Sequence, residues 1–151
     1  AHCVEGYLSR NVNPPVEAIA LDGIARAAKY VQRATEHGDD REARWHMLMA
    51  GLQGGMAIYM GLGPVHVLGH IFADSPLHHG ALITASAPAV MRYFEPHLPD
   101  QLAKLAEAMG LDAGARRGRN TGGARCALDQ VEAVEIAETE ADAAVARVNK
   151  V

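Results

Sequence analysis

The chain has 151 residues, a net charge of −4 and two cysteines, and 49% of its residues are hydrophobic, enough for one packed core. A single domain of this length can bury about 70% of its unfolded surface. The negative balance excludes a general binder of nucleic acid or of anionic membrane surfaces, both of which attract basic faces.

Helices are predicted almost throughout. His2 to Ser9 reads as the tail of a helix with no cap of its own. Asn13-Pro14-Pro15 starts the next one: asparagine caps, and proline is tolerated in a first turn whose N–H groups lack helical partners. Ile19, Ala20, Ile24, Ala27, Ala28 and Val31 keep helical spacing up to the glycine stop at His37-Gly38. Asp39-Asp40-Arg41-Glu42 offers an acceptor followed by a glutamate, a capping-box-like start for a helix running to about Met60. Its Ala50, Gly51, Gly54, Gly55 and Ala57 invite close approach by another helix, since a helical glycine otherwise costs about 1 kcal/mol.

Pro64 opens a helix carrying His66 and His70. Another spans Gly80 to about Phe94 with Pro88 inside it, and Pro99 to Met109 forms an amphipathic helix stopped by Gly110. No Asp, Glu, Lys or Arg occurs from Trp45 to Ala73, a stretch long enough to cross a bilayer. The polar His46, Gln53, His66 and His70 and the break at Gly61-Leu62-Gly63-Pro64 make it two consecutive buried helices instead. Met47, Met49, Met56 and Met60 read as core filler. Residues 112–124 form a Gly/Arg-rich loop whose Arg116, Arg117 and Arg119 read as solvated, and 125–151 an Ala/Glu-rich helical tail. Nowhere do β-branched residues alternate over five positions. The fold class is all-α, a bundle of about six or seven helices.

Chemistry concentrates between Pro64 and Gly80, where four of the eight histidines fall within fourteen residues. His66 and His70 are four apart and project from one helix face. The break at Asp74-Ser75-Pro76 turns the chain so that His79 comes back toward that face. Imidazoles from two segments suit a first-row metal such as Zn or Fe, and they titrate near neutral pH for proton transfer. His37 and His97 lie at helix ends and His46 reads as a packing residue. Cys3 and Cys126 make no CxxC pattern and no basic-then-apolar segment opens the chain, so free thiols and a cytoplasmic location are expected.

The opening His2-Cys3-Val4-Glu5-Gly6-Tyr7, followed by Asn13-Pro14, resembles the "H-x-x-E-x-[YF]…N-P" stretch of the iron-containing (group III) alcohol dehydrogenases. Gly63-Pro64-Val65-His66-Val67-Leu68-Gly69-His70 through Leu77-His78-His79-Gly80 resembles the "G-x-x-H-x-x-x-H…HG" signature of the same family, and Pro88 falls where that family carries a proline. The likeness covers residues 1–111 and implies the family's C-terminal, dehydroquinate synthase-like helical domain.

Carried over residue by residue, the resemblance implies that His2, His66 and His79 ligate Fe²⁺ or Zn²⁺ and that His70 is a non-ligand proton relay beside nicotinamide and substrate. His78 then lines the pocket. In such an enzyme the metal polarises the alcohol or aldehyde oxygen and hydride passes to NAD(P)⁺. The implied partner is a small alcohol or aldehyde, with no nucleic acid or membrane, and homo-oligomers are expected from the apolar surface that would face a nucleotide-binding half.

Three departures accompany the likeness. The family's fourth ligand, an aspartate four residues before the position of His2, falls before Ala1. The His66–His79 interval is one residue shorter than usual, so either the turn is tighter or His78 takes the ligand role. No glycine-rich phosphate loop follows a strand in these residues, so the 151 residues alone are expected to be inactive. They read as the metal-binding half of an NAD(P)-dependent alcohol dehydrogenase, the alternative being a stand-alone helical metal-binding or interaction domain without turnover.

Overall fold

The computed structural model describes residues 1–74 and 76–111. Six α-helices follow one another: α1 His2–Tyr7, α2 Pro14–Glu36, α3 Arg41–Ala57, α4 Pro64–Ile71, α5 His79–Phe94 and α6 Pro99–Ala108. A 3-10 turn, Ile58–Met60, extends α3. No strand occurs among the described residues, as expected for the all-α class. The readings of 112–124 and 125–151, including the three arginines and Cys126, lie outside the described residues.

The local signals act where the residue types demand. Asn13 Oδ1 accepts the Val16 N–H at 3.4 Å, and Glu17 reaches back to the Asn13 N–H at 3.2 Å, so two orphan donors of α2 are satisfied. Asp40 caps α3 by accepting from Ala43 N at 2.9 Å. Arg33, at the end of α2, binds Asp40 at 2.6 Å and Glu42 at 3.0 Å, closing the turn between the two helices. These groups are solvated, so the ion pairs are screened and add little to stability.

The helix expected to reach Met60 stops at Ala57 and tightens into the 3-10 turn. The Met60 carbonyl, freed by that change, accepts from Ser9 Oγ at 2.6 Å and from Asn11 Nδ2 at 2.9 Å. The chain then leaves through Gly61 at φ +105°, a conformation that favours glycine. The loop after α1 is thereby tied to the exit of α3.

α2 and α3 pack along each other, α1 wedges against both and against the 3-10 turn, α4 pairs with α5, and α6 returns to α2. Their shared core holds Cys3, Ile24, Val65, Ile83, Met91, Leu102 and Leu105. Each large aliphatic member contributes about 1.5–3 kcal/mol by leaving water. Close approach of α1 needs Gly6: a Cβ there would sit 2.7 Å from the Ala57 carbonyl oxygen.

The uncharged stretch from Trp45 to Ala73 does form consecutive helices, but they are only half buried. α3 turns its small residues Ala43, Ala50, Gly54 and Ala57 inward. Trp45, Leu48, Leu52, Met56 and Tyr59 lie on the outer face, from 45% to 92% exposed. Met60 is the one of the four methionines that is buried; Met47 and Met49 are half-buried and Met56 is exposed. Tight packing through alanine and glycine leaves no room for the long apolar side chains between the helices. Among the described residues no helix is long and apolar enough to cross a membrane. His46 has the expected packing role: its ring stacks on Tyr30 at 3.9 Å, and its Nδ1 lies 2.9 Å from Arg26 Nη1.

Candidate metal centre

Three helices deliver four imidazoles to one place. His2 begins α1, His66 and His70 stand one turn apart on α4, and His79 begins α5. The His2 and His66 rings stack with centres 4.6 Å apart and planes at 14°. His66 lies 5.9 Å from His79 and 6.4 Å from His70, while His70 and His79 are 5.1 Å apart. Two imidazoles on a common tetrahedral ion, with metal–nitrogen bonds of about 2.0–2.1 Å, have ring centres about 5 Å apart. The observed spacings run from 4.6 to 6.4 Å, and the stacked His2 and His66 rings would have to turn before both could meet one ion.

The four differ in depth. His66 is 3% exposed, His2 is half-buried, and His70 and His79 are exposed at the rim. The break between α4 and α5 therefore does what its composition suggests and returns His79 to the α4 histidines. Gly69 lets the two helices meet: a Cβ there would lie 2.6 Å from Ile83 Cδ1, close to His79. His78 leaves the pocket-lining role expected of it. It caps α5, its Nδ1 accepting the Gly80 N–H at 3.1 Å. This side chain thereby satisfies one donor of the first turn of α5.

The residue to which the sequence reading gave no role is Glu5. Its carboxylate is buried, with Oε1 accepting the Val65 N–H at 2.7 Å and Oε2 in a short hydrogen bond with His66 Nδ1. The partner lies 61 positions away, so no local pattern announces the contact. The signal in the sequence is its place as the glutamate of the H-x-x-E-x-[YF] stretch, which names the residue but not its partner.

Charge on His2 is disfavoured. Burial, then the neighbouring His66 and the amino terminus, hold His2 below the ordinary imidazole range, against the pull of Glu5. At neutral pH its ring nitrogens thus offer a lone pair without first losing a proton. Among the described residues no three His, Cys, Asp or Glu side chains are arranged to hold a metal ion as they stand. The donor set nevertheless fits a first-row divalent ion: imidazoles from three helices, one backed by a carboxylate, on side chains that turn about a soft terminal torsion.

Among the described residues the class defined is an all-helical domain in which three helices gather imidazoles at one place. Residues 1–147 match the C-terminal part of the Fe-containing alcohol dehydrogenase family, and the chain belongs to that family. The 4-hydroxybutyrate dehydrogenase of Cupriavidus necator is 44% identical over 126 residues, covering 76% of this chain and 33% of that protein. The 1,3-propanediol dehydrogenase of Klebsiella pneumoniae is 35% identical over 113 residues, 72% of this chain and 29% of that one. A crystal structure of 1,3-propanediol oxidoreductase superposes with a TM-score of 0.82 at 29% identity, over 89% of this chain and 35% of the other. The chain thus spans about a third of the length of these relatives.

Proposed function

We propose that this chain supplies the metal-binding part of a metal-dependent alcohol dehydrogenase, with His2, His66 and His79 as ligands of Fe²⁺ or Zn²⁺. The observation that carries the reading is the gathering of imidazoles from three helices, with ring centres 4.6 and 5.9 Å from His66 to its two partners. A divalent ion held there supplies Lewis acidity toward an alcohol or aldehyde oxygen. The protein's own groups do the rest. His66, fixed from behind, sets the floor of the site, and His2 and His79 close it from two sides. His70, exposed and 5.1 Å from His79, is the group assigned here to passing a proton between a substrate oxygen and solvent. NAD(P) would bind to parts of the family fold that these residues do not include, so the 151 residues alone should not turn over. The substrate class is a small alcohol or aldehyde, and the 44% identity to a 4-hydroxybutyrate dehydrogenase favours short hydroxylated chains.

The reading is tested by isothermal titration of the chain with Zn²⁺ across pH. An imidazole must be neutral to ligate, and the ordinary value is about 6.5. His2, with its pKa lowered by burial and by His66, keeps its lone pair to lower pH than that. Affinity should be highest at pH 7.5 and fall at least about tenfold by pH 5.5, where protons compete for the remaining ligand imidazoles. No heat of binding at pH 7.5, or affinity unchanged on acidification, contradicts the assignment.

A further inference from the structure

We infer that Glu5 is a positioning residue that fixes the His66 imidazole in its Nδ1–H form, leaving Nε2 as the nitrogen that faces the site with a lone pair. The metal aspect rests on the function proposed above; the hydrogen-bond assignment stands independently of it.

Two features of the structure converge on this one carboxylate. Oε1 accepts from Val65 N at 2.7 Å, in the first turn of α4, where the N-cap residue Gly63 has no side chain to do so. Oε2 meets His66 Nδ1, one residue further along the same turn. An ionised carboxylate only accepts, so the hydrogen in the second bond belongs to the imidazole. With that hydrogen on Nδ1, a neutral ring carries its lone pair on Nε2. Space is reserved for this contact: a Cβ on Gly63 would fall 2.5 Å from Glu5 Oε1 and 2.9 Å from its carboxyl carbon. Glu5 is itself 3% exposed, so water does not compete for either bond. One side chain from α1 thus both caps α4 and orients its buried histidine.

A capping role and a positioning role separate in Glu5→Gln. The amide oxygen can still accept from Val65, so a residue that merely caps is replaced without loss. The amide nitrogen, turned toward His66, donates; Nδ1 must then accept, and the ring proton moves to Nε2. The experiment is long-range ¹⁵N–¹H correlation on the full metal-free chain at pH 8, which assigns the ring proton of His66, followed by Zn²⁺ titration of the same samples. The wild-type chain should show Nδ1–H, and Glu5→Gln should show Nε2–H with Zn²⁺ affinity about 10–100-fold weaker. A wild-type His66 protonated on Nε2, or a Glu5→Gln chain with unchanged tautomer and unchanged affinity, overturns the inference. If Glu5→Gln does not fold, the wild-type tautomer alone decides. A chain whose tautomer switches as stated but which binds no Zn²⁺ in either form upholds the positioning role and removes the metal assignment instead.

Discussion

The His66→Ala chain should lose Zn²⁺ binding and also be less stable by about 2–3 kcal/mol, the cost of leaving a buried carboxylate oxygen without its donor. The imidazole is 4% exposed and its partner carboxylate 1% exposed. Without the ring, Glu5 Oε2 has neither protein donor nor water, and the penalty is that of a desolvated, half-satisfied carboxylate plus a cavity. Urea unfolding followed by circular dichroism measures the loss. His79→Ala, which removes an exposed ring, should shift stability by only about 0.5 kcal/mol. Equal stability of the His66→Ala and wild-type chains would show that the Glu5–His66 pair does not form.

A second large effect is expected at Gly6. An alanine Cβ there would lie 2.7 Å from the Ala57 carbonyl oxygen, 3.0 Å from its Cβ and 3.2 Å from its carbonyl carbon. These are mostly backbone atoms at the end of α3, which cannot swing aside as a side-chain tip can. Gly6→Ala should therefore destabilise by about 1–3 kcal/mol and push α1 outward, carrying His2 and Glu5 with it and weakening metal binding in step. Gly51→Ala is the matched control: a Cβ at Gly51 meets nothing within 4 Å, and helix propensity alone should stabilise it by about 0.5–1 kcal/mol. Thermal unfolding of the two variants should move in opposite directions. A Gly6→Ala chain as stable as the wild type would contradict the close docking of α1.

How much could be read in advance follows from how far apart the interacting residues are. Caps and stops are local, so Asn13, Asp40 and Gly110 announced their helix ends, and Pro64 announced α4. The i,i+4 spacing put His66 and His70 on one helix, and the break before His79 carried that residue back to them. The H-x-x-E stretch marks Glu5, but its contact with His66 spans 61 positions and no local pattern announces it. His78 was misread as pocket lining because nothing in a His-His-Gly triplet tells a capping ring from an inward one. The outer face of α3 was also misread. Hydrophobicity without charge suggested burial, but the packing surface went to alanine and glycine, and the large side chains were left outside.

The gathering of four rings leaves one question that a single set of titrations answers most directly, because His70 lies closer to His79 than His66 does, at 5.1 Å against 5.9 Å. Isothermal titration with Zn²⁺ at pH 7.5 should be run on the wild-type, His79→Ala and His70→Ala chains. If His2, His66 and His79 hold the ion and His70 serves proton transfer, His79→Ala abolishes binding and His70→Ala leaves the affinity nearly intact. Binding lost in His70→Ala but retained in His79→Ala would contradict it, and would assign the ion to an i,i+4 histidine pair on α4.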